Sequence, residues 1–126
     1  MDTAAAKKST IDGRWQLLRA EMDGEVAPEL LTMKTELEFK SGEYIVRFGG
    51  NITDRGTYEL GTANNSTLLI LRGSEGPNTG HVIPCLVQHV GNRLRVCYGL
   101  DGVLPTDYQA TKGMNRYSAK YRPISE

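Results

Sequence analysis

The chain has 126 residues and a mass of 13.9 kDa, which suits one domain with a single core. Its 15 basic and 15 acidic side chains cancel to a formal net charge of zero, which excludes a partner held mainly by charge, such as nucleic acid or an anionic membrane. The longest apolar run, Leu68 to Leu71, is far shorter than the roughly 20 residues of a membrane-spanning helix.

The chain start contains three alanines and two lysines but lacks the apolar stretch of a secretory signal. We expect a flexible tail at residues 1–10, one domain at 11–123 and a short C-terminal tail at 124–126. The protein is expected in the cytoplasm if the chain is full length, and exported if a signal peptide has been removed.

The first predicted strand starts at Gly13-Arg14-Trp15, which holds the only tryptophan of the chain. Turn-forming residues then recur at strand spacing, which predicts consecutive antiparallel hairpins. Only Val26 to Met33 favours a short helical turn. The turn sequences are Asp23-Gly24, Ser41-Gly42, Gly49-Gly50-Asn51, Asn64-Asn65, Gly91-Asn92 and Asp101-Gly102.

The clearest hairpin joins Thr35–Lys40 to Glu43–Phe48 around Ser41-Gly42. This register places the apolar residues of both strands on one face, while the other face pairs Glu36 with Arg47. Apolarity and charge therefore support the same register.

The next strand, Ile52 to Leu60, has two possible registers. A three-residue loop at 49–51 turns Tyr58 and Leu60 inward, whereas a two-residue loop turns them outward. We favour the three-residue loop, which also turns Asp54 inward, beside Arg47 or Arg55. A carboxylate in that position needs a cationic or hydrogen-bonding partner.

The later hairpin turns at Gly91-Asn92, which sets Cys85 opposite Tyr98 and Cys97 opposite Leu86. The two thiols then lie on opposite faces of the sheet, so we expect free cysteines rather than a disulfide. The face that carries Leu86 and Cys97 is expected to be mostly exposed to water.

Every position of Leu68 to Leu71 is apolar, which indicates a strand covered on both faces, or one with a loop or partner over its outer face. Alternating residues from Tyr117 to Arg122 predict a terminal strand. The sequence therefore predicts an all-β fold, an antiparallel up-and-down barrel of eight or nine strands. Closure at eight strands leaves room for side chains or one small ligand.

No motif predicts a catalytic or metal site. His81, Cys85 and His89 share a face, but four residues of extended chain span about 13 Å, too far for one ion. The serines lack a nucleophile motif such as G-x-S-x-G, and no cofactor is indicated.

Several segments occur in an order that resembles the lipocalin-like, calycin-type domain, which is widespread and mostly uncharacterised in bacteria and best known from planctomycetes. The resemblance covers about residues 11 to 123. The segments are Ile11-Asp12-Gly13-Arg14-Trp15, Met22-Asp23-Gly24, Phe39-Lys40-Ser41-Gly42-Glu43-Tyr44, Gly56-Thr57-Tyr58-Glu59-Leu60, Glu75-Gly76-Pro77-Asn78-Thr79-Gly80 and Leu94-Arg95-Val96-Cys97-Tyr98.

The resemblance implies a lipocalin-like barrel with an internal cavity and no established activity. It also implies that Gly13 and Trp15 form the barrel floor. A basic side chain of the last strand, Arg122 or alternatively Lys120, is then expected across the Trp15 ring, a contact worth about 0.5–2 kcal/mol.

Three functions follow as hypotheses. The first is binding of a small hydrophobic or amphipathic molecule inside the barrel. The second is a filled barrel that serves as a structural or protein-interaction module, through the outer face near Leu68 and Ile70 or the loop at 73–80. The third is an enzyme with Tyr98 or Asp54 as acid or base. The expected walls of the binding site are Tyr44, Phe48, Tyr58, Val87, Val96, Tyr98 and Tyr117.

Overall fold

The computed structural model describes residues 11–63 and 65–124. The predicted tail at 1–10 lies outside the described residues, as do the last two residues of the predicted tail at 124–126. The described elements, in chain order, are β1 (Gly13–Met22), β2 (Glu25–Val26), α1 (Glu29–Lys34), β3 (Thr35–Lys40), β4 (Glu43–Phe48), β5 (Asn51–Ala63), β6 (Ser66–Glu75), β7 (Val82–Val90), β8 (Arg93–Gly99) and β9 (Arg116–Pro123).

The strands form a closed antiparallel barrel. From β3 onward each strand pairs with the next, β3 also pairs with β1, and β1 pairs with β9 to complete the ring. The two-residue β2 extends the sheet by pairing with the end of β1. The predicted up-and-down barrel is therefore confirmed, with eight strands in the ring and one extra strand.

The β3–β4 hairpin has the predicted register. Thr35 lies opposite Phe48, Glu36 lies opposite Arg47, and the apolar Leu37 is buried. Because side chains alternate along a strand, this register directs one set of residues into the barrel and leaves the charged set outside.

The loop between β4 and β5 is shorter than predicted. Phe48 pairs with Asn51, so the loop contains only Gly49 and Gly50. Both glycines have positive φ angles of 60° and 89°, which glycine adopts without steric cost and which suit a two-residue hairpin turn. The prediction of a three-residue loop was wrong.

A β-bulge restores the predicted inward direction of β5. Arg47 pairs with Ile52 but Val46 pairs with Asp54, so β5 carries one extra residue between those partners. One extra residue reverses the alternation of faces beyond it. Asp54 and Tyr58 are therefore buried, as expected, although the cause is the bulge.

The β7–β8 hairpin confirms the predicted positions of the cysteines. Cys85 lies opposite Tyr98 and Cys97 lies opposite Leu86. Both thiols are free and buried. Since neighbouring pairs of an antiparallel ladder point to opposite faces, the two sulfur atoms lie on opposite sides of the barrel wall.

The outer face of this hairpin is covered, which corrects the expectation that it is mostly exposed. The side chains of Leu86 and Cys97 are only 6% and 0% exposed to solvent. The segment at 100–115, between β8 and β9, supplies the cover: the Tyr108 ring in it lies 4.1 Å from the Arg95 guanidinium. We call residues 100–115 the covering segment.

Trp15 is buried at one end of the barrel. Its indole Nε1 donates a hydrogen bond of 2.9 Å to the Ile11 carbonyl, and its ring meets the His89 ring edge-on at 5.3 Å. Gly13 opens the strand with a φ of 137°, a value that side-chain-bearing residues rarely adopt.

The basic residue expected across the Trp15 ring lies elsewhere. Pro123 pairs with Trp15 on the neighbouring strand, so the preceding residue, Arg122, points outward by alternation. The Arg122 guanidinium donates to the Pro123 carbonyl at 3.2 Å and is exposed. Lys120, the alternative, is exposed as well, and the observed ring partner of Trp15 is His89.

Candidate functional site

A cavity of about 350 Å³ lies within the barrel. Its walls combine aliphatic side chains, tyrosine rings and a small polar cluster. The residues that line it are Thr35, Leu37, Tyr44, Val46, Thr53, Asp54, Leu71, Pro77, Asn78, Ile83, Tyr98, Leu100, Tyr117 and Tyr121.

The cavity extends to the end of the barrel opposite Trp15. Strands β1 and β9 run antiparallel, with Trp15 paired to Pro123 at one end and Met22 paired to Tyr117 at the other. Tyr117 lines the cavity and Trp15 does not. The tryptophan end therefore forms the floor, and the cavity lies above it.

The predicted wall residues divide into two groups. Those that line the cavity are Tyr44, Tyr98 and Tyr117. Those outside its lining are Phe48, which is exposed rather than part of an interior wall, and the buried Tyr58, Val87 and Val96. Ligand binding by any of them stays a prediction.

Tyr58 belongs to the packing near the floor. Its ring meets Phe39 edge-on at 4.9 Å, and its hydroxyl donates to the Asp12 carboxylate at 2.5 Å. Both contacts fix the ring in the core, away from the open volume.

Two tyrosines of the cavity wall form a hydrogen bond with each other. The hydroxyl oxygens of Tyr98 and Tyr121 lie 2.7 Å apart, and both side chains are buried. Burial raises the pKa of each hydroxyl well above its ordinary value. Both therefore remain neutral phenols at neutral pH, joined by one hydrogen bond.

Asp54 is the charged group of the cavity wall. The bulge in β5 turns it inward, where it is only 8% exposed. Its Oδ2 accepts a hydrogen bond of 2.7 Å from the Asn78 amide and a long one of 3.4 Å from the Tyr44 hydroxyl. Its Oδ1 is buried and has no hydrogen-bond partner among the described residues.

The Asp54 carboxylate also affects the pKa of the neighbouring Tyr44 hydroxyl. Burial, and then the negative charge of Asp54, raise the pKa of the Tyr44 hydroxyl. Tyr44 therefore stays protonated and remains a hydrogen-bond donor to Asp54.

The arginines expected beside Asp54 pair with other acids. The Arg47 guanidinium lies 2.8 Å from Glu38, and that of Arg55 lies 4.0 Å from Glu43. Arg55 follows Asp54 directly, so alternation places it on the other side of the wall. The nearest polar partners of the carboxylate are neutral.

The loop at 73–80 contributes to the cavity wall through Pro77 and Asn78. Its backbone bends back on itself, with Thr79 donating to the Gly76 carbonyl at 3.2 Å and Gly80 donating to the Gly73 carbonyl at 3.0 Å. Sequence reasoning missed Asn78 as a site residue. Its position in a Gly-Pro-Asn turn carried no signal that its amide reaches a strand residue 24 positions away.

The outer face proposed for a protein partner is partly covered. Leu68 and Ile70 are half-buried and lie opposite Leu86 and Pro84 on β7. An interaction through this face, or through the loop at 73–80, stays a prediction.

The histidine and cysteine side chains do not come together in one site. His89 contacts the floor tryptophan, Cys85 is buried in the wall, and His81 precedes β7. Across residues 11–63 and 65–124, no group of three or more His, Cys, Asp or Glu side chains is placed to hold a metal ion.

No protein-family model, curated protein or solved structure matches this chain. In the part of the chain that the structure describes, no helix has the length and apolar character needed to cross a bilayer. Function is therefore inferred from the cavity and its walls.

Proposed function

We propose that the protein is a lipocalin-like barrel that binds a small hydrophobic or amphipathic molecule in its interior. The observation that carries this proposal is the cavity of about 350 Å³. Pockets for small molecules typically measure roughly 300–1,000 Å³ and combine apolar walls with a few polar groups. In a barrel that served only as a packed scaffold, side chains would be expected to fill this volume, because protein interiors are normally close-packed.

The ordered motifs that resemble the lipocalin-like domain support the same proposal. The tryptophan of the Gly-x-Trp motif closes one end of the barrel, which leaves the opposite end for entry of a ligand. Small closed barrels of eight strands have interiors of the size needed for one such molecule.

The test is binding of a neutral fluorescent probe, N-phenylnaphthylamine, by fluorescence titration. Val46 is half-buried and lines the cavity, so Val46→Trp places a large ring in the open volume. We expect the wild-type protein to bind the probe, and Val46→Trp to weaken binding by at least about tenfold because the variant fills the space that the probe needs.

The matched control is Val82→Trp, which adds the same ring at an exposed position outside the cavity. It should bind the probe like the wild-type protein. Absence of probe binding by the wild-type protein, or equal binding by Val46→Trp and the wild type, would contradict the proposal.

A further inference from the structure

Within residues 11–63 and 65–124, no basic side chain forms an ion pair with Asp54. Among the described residues, every ion pair joins an arginine to another acid, and the residues that line the cavity include no lysine, arginine or histidine. The arginine–acid pairs are Arg14–Glu36, Arg47–Glu38, Arg55–Glu43, Arg72–Glu59 and Arg116–Asp107.

The hydrogen bonds that Asp54 receives satisfy only part of the carboxylate. Oδ2 has one good donor in Asn78 and one distant donor in Tyr44, while Oδ1 has none among the described residues. A buried carboxylate is costly unless it is paired and fully hydrogen-bonded. The surroundings thus favour a molecule that brings positive charge and N–H donors to this wall.

The rest of the cavity suits the apolar part of such a molecule. Leu37, Leu71 and Ile83 line it and are buried core residues. Tyrosine rings are also present in the wall, and their faces attract cations. An anionic ligand, by contrast, would meet the like charge of Asp54.

We propose that the natural ligand is a small cationic amphiphile, an ammonium group attached to an apolar body, with the ammonium held at Asp54. This inference rests on the proposed function, because it identifies the chemical class of the molecule in the same cavity. The ammonium supplies the counter-charge and donates hydrogen bonds to the carboxylate, and the apolar body occupies the aliphatic part of the cavity.

The test compares three probes of similar size: phenethylamine, phenethyl alcohol and phenylacetate. They share an aromatic body and differ in the charge of the head group. Isothermal titration of the wild-type protein should show phenethylamine binding at least about tenfold tighter than phenethyl alcohol, the effect of one hydrogen bond between charged groups. Phenylacetate should bind more weakly than the alcohol.

The variant Asp54→Asn isolates the contribution of the charge, since it keeps the size of the side chain. It should reduce the preference for the amine over the alcohol to about twofold or less, because the attraction between opposite charges is lost. The control Glu59→Gln removes one negative charge from an exposed position outside the cavity and should keep the wild-type preference.

A second measurement does not depend on a folded variant. In the wild-type protein, the NMR signal of the Asp54 carboxyl carbon should shift on addition of phenethylamine and not on addition of phenethyl alcohol. Equal binding of amine and alcohol, or a preference that persists in folded Asp54→Asn, would overturn the inference while leaving cavity binding intact. Failure of the wild-type protein to bind N-phenylnaphthylamine would overturn the proposed function and, with it, this inference.

Discussion

The hydroxyl pair in the cavity wall illustrates how single polar atoms matter in this barrel. Tyr98 and Tyr121 are 9% and 3% exposed, and their oxygens lie 2.7 Å apart. Each hydroxyl is thus the partner that the other needs in a low-dielectric interior. Loss of one leaves the other without that partner.

This arrangement predicts strong coupling between the two tyrosines. Tyr98→Phe or Tyr121→Phe should each lower the free energy of unfolding by about 1–3 kcal/mol, the cost of an unsatisfied buried hydroxyl. The double variant should cost clearly less than the sum of the single variants, because it leaves neither hydroxyl behind. Urea unfolding of all four proteins measures the coupling, and additive losses would show that the hydroxyls do not depend on each other.

Asp54 shows how far residue-level reasoning from the sequence extends. Its inward direction was expected, but from a three-residue loop, whereas the structure has a two-residue loop followed by a bulge. Both arrangements shift the strand by one residue, so alternation alone does not distinguish them. The partners of the carboxylate were not predictable, because Asn78 approaches from a loop that is distant in the chain.

At the scale of elements, the loop at 73–80 is held closely against the bulged part of β5. A Cβ atom at Gly76 would lie 2.4 Å from the Thr53 carbonyl oxygen and 3.0 Å from Asp54 Oδ1. Gly80, in the same loop, has a similar positive φ of 81° but no atom within 4 Å of such a Cβ. The two glycines therefore separate the effect of backbone conformation from the effect of close packing.

We expect Gly80→Ala to lower the free energy of unfolding by about 1 kcal/mol through its positive φ alone. Gly76→Ala should lower it by more, because the methyl group also collides with backbone that is not free to move. Gly76→Ala should also weaken phenethylamine binding, since the collision lies beside Asp54. Chemical unfolding and titration check both points, and equal effects of the two substitutions would contradict the close contact.

The β3–β4 and β7–β8 hairpins were predictable from the sequence, whereas the β4–β5 loop and the two long loops were not. The registers of β3–β4 and β7–β8 depend on alternation and on turn residues between adjacent strands, and both are local signals. The loop at 73–80 and the covering segment dock on residues far away in the chain. The presence of these irregular segments was visible in the sequence, but the surfaces on which they pack were not.

At the scale of the whole molecule, the buried tyrosines determine the response to alkaline pH. Burial raises the pKa of each of these hydroxyls above its ordinary value of about 10. The unfolded chain therefore releases these protons at lower pH than the folded protein does. The tyrosines concerned are the buried Tyr44, Tyr98 and Tyr121 and the partly buried Tyr117.

The sign of the effect follows from proton linkage. Below about pH 10 both states are protonated and the tyrosines add no pH dependence, whereas above it the unfolded state binds fewer protons and stability falls as pH rises. Each such tyrosine contributes a slope of up to about 1.4 kcal/mol per pH unit. The buried Cys85 thiol, whose pKa is also raised by burial, contributes in the same direction at a lower pH.

Urea unfolding across the alkaline range, together with tyrosinate absorbance, measures this dependence. We expect a steep loss of stability above about pH 10 and late ionisation of the buried tyrosines in the folded protein. The double variant Tyr98→Phe with Tyr121→Phe should show a shallower loss than the wild type. A free energy of unfolding that stays constant through this range would contradict the burial of these hydroxyls.

Because the covering segment packs on the outside of β7 and β8, part of the barrel wall is buried on both of its faces. Leu86 and Cys97 on the outside are as inaccessible as Cys85 and Tyr98 on the inside, and Pro105 of the segment is fully buried as well. At buried positions on either face of this stretch of β7 and β8, a polar substitution should therefore lower the free energy of unfolding. These strands should consequently be the slowest part of the barrel to diverge in sequence, even though the ordinary rule of alternation marks half of their positions as surface.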